Sequence, residues 1–171
     1  MRQADSADLD IWYQLYKETC QRKRIYLHDP EYFRTVLETH VGEDRSKADV
    51  ELLIAEIDET PLAAMFLAIS GKRATYLYGA SSSSKRNYMG TYALQWEAIR
   101  RAQQRSCTEY DLFGVSPRPE PSHPLYGIHR YKIGFGGTLF HRLGCWDYPL
   151  DSRNYNLHLS AEMTSQGYHL H

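Results

Sequence analysis

Between Ser122 and Leu150 the chain gathers Tyr126, His129, Arg130, Tyr131, Lys132, His141, Arg142 and Trp146, a density of cations and rings suited to a ligand-facing surface. Covalent or metal chemistry is not written there. His123, His129 and His141 lack metal-ligand spacing, so no metal is expected, and neither a Ser-His-Asp nor a Cys-His arrangement is legible. Upstream, Arg86 follows a run of four serines and Lys85 close to an expected helix start, where a forked guanidinium beside backbone amides suits phosphate. Asp111 begins a short strand, and a carboxylate there can serve as a general base or bind neighbouring amides.

The elements that must hold these residues follow from hydrophobic spacing. A first helix from about Ser6 to Arg22 puts Leu9, Trp12, Tyr13, Tyr16 and Cys20 on one face, with Ser6 or Asp8 as N-cap. The basic run Gln21-Arg-Lys-Arg24 closes it in keeping with the helix dipole. Asp29-Pro30 starts a second helix carrying Tyr32, Phe33, Val36 and Leu37 to about Val41, stopped by Gly42, and Glu43 to Ala48 reads as a charged loop. Val50 to Ile57, Leu62 to Ile69 and Arg73 to Ala80 read as three strands whose short connections demand an antiparallel meander. The near-continuous apolar character of Leu62 to Ile69 predicts a strand covered on both faces.

After the serines, a third helix is expected from near Tyr88, with Met89, Tyr92, Trp96 and Ile99 inside and Glu97, Arg100, Arg101, Gln104 and Arg105 on a solvated outer face. Tyr110 to Val115 reads as a strand, and Ser116 to Pro124 as a turn-rich loop. A fourth helix opens at His123-Pro124 and is stopped by Gly134, Gly136 and Gly137, and Thr138 to Tyr148 alternates as strands do. The polar tail from Asp151 to His171 is expected to be largely irregular, with His169 and His171 as no ligand pair.

The totals bound the rest. At 171 residues one domain is expected, over 1–171, and a net charge of -1 excludes a generally basic, nucleic-acid-coating protein. Cys20, Cys107 and Cys145 form no Cys-x-x-Cys pair, which fits a reducing cytoplasm. The acidic N-terminus is unlike a signal peptide, and the longest apolar run, Leu62 to Ile69, is too short to span a bilayer. A cytoplasmic chain, free or peripheral at the inner membrane face, is the expectation.

The element order, a mixed α/β (α+β) sheet with a strand-helix-strand crossover from Arg73 to Val115, resembles the GNAT acyltransferase fold, in which the fourth and fifth strands splay around the acyl donor. Where CoA-using relatives carry an Arg/Gln-x-x-Gly-x-Gly/Ala phosphate turn, this chain has Arg86-Asn-Tyr-Met-Gly90-Thr. The spacing differs by one residue, and Tyr88 and Met89 add bulk, so CoA is disfavoured.

Four stretches together resemble the second GNAT-like half of the Fem family of aminoacyl-tRNA-dependent transferases, which build peptidoglycan interpeptide bridges. They are Tyr76-Leu-Tyr-Gly-Ala-Ser-Ser leading into Lys85-Arg-Asn; Tyr92-Ala-Leu-Gln-Trp-Glu-Ala-Ile; Tyr110-Asp-Leu-Phe-Gly; and His123-Pro-Leu-Tyr-Gly followed by Tyr131-Lys-Ile-Gly-Phe-Gly-Gly and Trp146-Asp-Tyr-Pro-Leu. The resemblance implies transfer of an amino acid from tRNA to an amine of a peptidoglycan precursor, lipid II or a UDP-linked muropeptide. It also implies that Arg86 and Tyr131 contact that precursor, with Ser84, Tyr92 and Tyr126 as companions. Lys132 is then a candidate for oxyanion stabilisation or for tRNA phosphate, and Asp111 for the amine's proton.

Aminoacyl-tRNA would be the co-substrate, with no other cofactor. Arg100, Arg101 and Arg105, with Arg22, Lys23 and Arg24, either meet tRNA phosphates or form a solvated face. Fem proteins carry two such halves, so a second GNAT-like domain or a second copy is an expected partner. The readings left open are a CoA-dependent N-acyltransferase and a non-catalytic half-domain that binds precursor or tRNA.

Overall fold

The sheet starts at the chain's first residues, ahead of anything hydrophobic spacing marks as strand. In the computed structural model, which describes residues 1–38, 48–116, 120–123, 125–144 and 146–164, β1 (Arg2–Ala4) pairs antiparallel with β2 (Asp49–Ile57), Arg2 opposite Ile54. The expected helix stop at Gly42 and most of the charged loop lie outside the described residues. A 3-10 turn (Ser6–Asp8) leads into α1 (Leu9–Lys23), and Asp5 caps the turn by accepting the Ala7 N–H at 2.8 Å. Asp8, expected as a cap, instead takes a forked pair of bonds from Arg2 at 2.8 Å each, tying the helix entry to the edge strand.

That pairing carries a pH signature. The Arg2 hydrogen bond holds the Asp8 carboxyl below its ordinary 3.8. A lowered folded-state value stabilises the fold above the unfolded value, and the contribution is lost as pH falls through the folded one. Asp8→Asn is therefore expected to lower the urea midpoint at pH 7, with the gap from wild type closing below about pH 4. A gap that stayed constant down to pH 2.5 would remove the pair from the acid response.

After α2 (Pro30–Glu38), β2, β3 (Thr60–Ser70) and β4 (Arg73–Ser81) form the expected meander. Asp58 and Glu59, both left-handed, make the first turn, the conformation that matches the twist of a two-residue hairpin. α3 (Gly90–Gln104) then crosses over to β5 (Glu109–Asp111), which runs parallel to β4 in the sheet order β1-β2-β3-β4-β5. Their pairing covers only Arg73–Glu109, Ala74–Tyr110 and Thr75–Asp111. β4 runs on to Ser81 with no β5 beside it.

Alternation along β2 and β3 divides the interior into two layers. Leu52, Ile54, Ala64 and Phe66 face α1 and α2, where Trp12 stacks on Tyr16 at 5.3 Å and meets Phe66 edge-on at 4.7 Å. Leu53, Ala63, Met65 and Leu67 face α3. β3 is thus covered on both faces, as its composition requires.

α3 corrects the inner face read from the sequence. The buried side chains are Leu94, Gln95, Ala98 and Ala102, while Met89, Tyr92 and Trp96 are exposed. The helix approaches the sheet through two alanines, and the bulky rings, taken as core markers, would hold it too far away. Of the outer arginines Arg100 is exposed as expected, but the other two are drawn onto the sheet. Arg101 and Arg105 both reach Glu51 of β2, which is 3% exposed, at 3.0 and 2.6 Å.

The described residues fall into two compact units, Met1–Phe113 and Gly114–His171. The second contains α4 (Tyr126–Ile133), ended by Gly134 as expected, and α5 (Ser152–Thr164). The expected start of α4 falls on Pro124, outside the described residues, and the helix itself begins two residues later. α5 occupies most of the tail expected to be irregular. Asp151 caps it by accepting the Arg153 and Asn154 N–H groups at 2.8 and 3.1 Å, and its polar sequence offers no apolar period to detect. The alternation of Thr138 to Tyr148 forms no strand among the described residues, where no neighbour supplies a ladder.

Candidate functional site

The last residues of β4 and the start of α3 enclose a pocket of about 110 Å³. Its wall includes Ser81, Ser82, Ser84, Lys85, Arg86 and Tyr92, so three residues singled out from the sequence, Ser84, Arg86 and Tyr92, come together here. The connection between strand and helix is unusual in its backbone. Lys85 (φ 49°) and Met89 (φ 54°) are left-handed non-glycine residues on either side of a 3-10 turn, Arg86–Tyr88. The Arg86 side chain is exposed there, with no side-chain hydrogen bond or ion pair to any described residue.

Met89 occupies the N-cap of α3 without a side-chain cap, so the positive end of a 15-residue helix opens beside two cations. Gly90 lets the helix start close to the sheet, since a Cβ there would lie 3.0 Å from Leu62 Cβ. The Ser82 hydroxyl lies 2.9 Å from that of Ser84 and accepts the Ser84 N–H at 3.1 Å, which keeps the serine turn folded on itself. Among the described residues Lys85 reaches Thr60, at 3.4 Å. Hydroxyls, a lysine, an arginine and a helix start are groups that can receive an anion such as a phosphate.

The other candidates stand elsewhere. Asp111 Oδ1 accepts the Phe113 N–H at 2.7 Å, the backbone-binding alternative, and this turn carries Phe113 into a left-handed conformation. On α4, Tyr131 meets Phe135 edge-on at 5.4 Å, and Lys132 donates from Nζ to the Gly114 carbonyl at 2.6 Å. Tyr126 opens the same helix. Of the arginines weighed for nucleic acid, Arg101 and Arg105 are held by Glu51, and Arg22 bonds to Ser81 and Ser83. Lys85 and Ser82 of the pocket wall were missed as site residues, though both lie inside the stretches that carried the family resemblance. Among the described residues no group of three or more His, Cys, Asp or Glu could hold a metal, and no helix is long and apolar enough to cross a membrane.

A family model described as the FemAB family matches residues 43–162. The lipid II:glycine glycyltransferase of Staphylococcus epidermidis is 31% identical over 112 residues, 65% of this chain and 27% of the relative. That of Staphylococcus saprophyticus is 31% identical over 96 residues, 56% of this chain and 23% of the relative. The chain therefore spans about a quarter of the length of the curated relatives it matches. Among solved structures, FemX matches with a TM-score of 0.75 at 20% identity, over 91% of this chain and 54% of that one. The fold is GNAT-like: an aminoglycoside N-acetyltransferase in complex with CoA also matches, with a TM-score of 0.53 at 15% identity over 86% of this chain and 98% of that one.

Proposed function

Because the chain belongs to the FemAB family, we propose that it is the precursor-binding part of an aminoacyltransferase, its Ser81–Tyr92 pocket taking the phosphates of a peptidoglycan precursor, lipid-linked or UDP-linked. The observation that carries this reading is Arg86, an unpaired guanidinium at an uncapped helix start, flanked by Lys85 and the serine turn. Aminoacyl-tRNA is the proposed donor. In the transfer the acceptor amine attacks the ester carbonyl, a C–N bond forms, and the ester C–O bond breaks. The amine loses a proton, and the tRNA hydroxyl leaves with one. An ester is already activated, so positioning of a neutral amine suffices without a covalent nucleophile.

In this reading Tyr92 borders the precursor beside Arg86 and Ser84. Tyr126 and Tyr131 keep the precursor contact that the resemblance implies, and Lys132 and Asp111 remain candidates on their own chemistry: oxyanion or tRNA phosphate for Lys132, the amine's proton for Asp111. A second GNAT-like domain or a second copy completes the enzyme.

The direct test is transfer of a radiolabelled amino acid from charged tRNA to lipid II or UDP-linked muropeptide. Binding is tested separately by titrating UDP-linked muropeptide. Arg86→Ala is expected to weaken it by roughly 10- to 100-fold, the worth of a charge-assisted bond to phosphate, with an unchanged thermal midpoint. Equal affinity in the variant would take Arg86 out of the site. Stabilisation by acetyl-CoA and not by precursor would move the chain to CoA-dependent N-acylation.

A further inference from the structure

The serine turn that walls the pocket is fastened from behind by α1. Glu18 Oε1 accepts the Ser83 N–H at 2.5 Å. Thr19 Oγ1 accepts the Ser81 N–H at 2.9 Å and lies 3.1 Å from the Ser81 carbonyl oxygen. Arg22 spans both residues, donating to Ser83 Oγ at 2.7 Å, Ser81 Oγ at 2.9 Å and the Ser81 carbonyl at 3.1 Å. From the other side, the Ser82 N–H donates to the Leu62 carbonyl of β3 at 2.9 Å. The residues either side of Ser82 are thus bound to one helix, and Ser82 itself to the sheet.

This arrangement is more than helix packing. The contacts between α1 and the turn are polar and directional, and they end on Ser81, the last residue of β4, and on Ser83 just beyond the strand. A run of serines has no apolar side chain to order it, so the conformation that presents Ser82, Ser84, Lys85 and Arg86 has to be imposed by bonds of this kind. The hydrogen bonds from Ser83, with Arg22 contributing, also hold the Glu18 carboxyl below its ordinary range, so the acceptor stays ionised at neutral pH. The Arg22 guanidinium is satisfied by hydroxyl and carbonyl oxygens and keeps its charge behind the turn.

We infer that Glu18, Thr19 and Arg22 are positioning residues for the anion pocket: α1 holds Ser81–Ser83 in the ligand-ready geometry before the ligand arrives. The inference rests on the phosphate reading of that pocket. It makes α1 a determinant of affinity even though none of the three side chains lines the cavity.

The test titrates inorganic pyrophosphate into the full chain by calorimetry and follows amide hydrogen exchange at Ser81 and Ser83 without ligand. Thr19→Val, Glu18→Gln and Arg22→Gln are each expected to weaken pyrophosphate about tenfold, the loss that follows when only a tenth of the molecules hold the turn correctly. Thr19→Val should also raise exchange at the Ser81 amide, and Glu18→Gln at the Ser83 amide. Arg22→Lys keeps the charge and loses the fork, so it should fall between wild type and Arg22→Gln. Arg24→Gln removes a cation that bonds to nothing on the turn and should leave affinity within about twofold. Wild-type binding with unchanged affinity in all three variants overturns the inference and spares the pocket. So does a loss in Arg22→Gln that Arg24→Gln matches and Arg22→Lys fully repairs, because bulk charge then explains it. No wild-type binding of pyrophosphate or muropeptide overturns the phosphate reading itself, and the positioning role with it.

Discussion

The Arg101→Ala, Arg105→Ala double variant should lose about 3–5 kcal/mol of stability, roughly 10 °C in thermal midpoint for a chain of this size. Glu51 stands on the α3 face of β2 at 3% exposure, and its two carboxylate oxygens are taken by the two arginines at 3.0 and 2.6 Å. Arg101 also donates to Gln3 of β1 at 2.9 Å, and Arg105 pairs with Asp49, so the pair ties α3 to two neighbouring strands. Removing both leaves a carboxylate buried and unpaired, and desolvation dominates the cost. Arg101→Ala alone keeps Arg105 on Glu51 and should cost only about 1–2 kcal/mol. The decisive companion is the triple Glu51→Leu, Arg101→Met, Arg105→Met: if the buried charge is what destabilises the double variant, the triple recovers most of the loss in urea unfolding. A triple as unstable as the double would mean that the network contributes packing rather than charge neutralisation.

Gly79→Ala should destabilise the fold by about 1–3 kcal/mol through overpacking. A Cβ at position 79 would lie 1.7 Å from the Tyr76 hydroxyl oxygen and 2.6 Å from its Cζ, so the ring must leave its place or the strand must shift. Tyr76 is partly buried and packs against the α3-side core, and burial pushes its hydroxyl up to about 12. β4 slips its register against β3 between Phe66 and Leu67, close to this position. Pairing Gly79→Ala with Tyr76→Phe removes only the oxygen and should recover little, whereas Tyr76→Leu should recover more, read as thermal midpoints of the three variants. Full rescue by phenylalanine would mean that the hydroxyl alone causes the clash. Because β4 ends two residues later in the serine turn, pyrophosphate affinity should fall along with stability.

What the sequence made legible follows the range of the interactions involved. The meander could be read because alternation along a strand is local, and the uniform apolar character of Leu62–Ile69 correctly placed it between two layers. β1 was illegible: three residues, one of them an arginine, carry no pattern, and the strand exists because Ala4 and Gln3 meet Leu52 and Leu53 from the far side of the first two helices. The rotation of α3 was misread because large rings outweigh alanines on any hydrophobic scale, although small residues let a helix come close to a sheet. At the pocket, the serine run and Arg86 could be found from the sequence, since both lie within a few residues of a helix start. Glu18, Thr19 and Arg22 could not, because their partners lie some sixty residues further on and nothing in their own neighbourhood distinguishes them from surface positions. The α5 cap at Asp151 was legible in principle, but an all-polar helix gives no periodicity to prompt the search.

The three-rung seam between β4 and β5 has a consequence for how the unit is assembled in time. β2, β3 and β4 are joined by two-residue turns, so their ladders form from contacts near in sequence and close at small entropic cost. β5 can join only after the whole crossover from Ser82 to Thr108 has been closed, and it gains three residue pairs in doing so. By the same reasoning β1, with three pairs across a longer connection, also joins after the meander, and the pocket at the head of the β4–β5 crossover is expected to mature after the meander has formed. Binding an anion there would act as a latch on that later step and slow unfolding more than it speeds refolding.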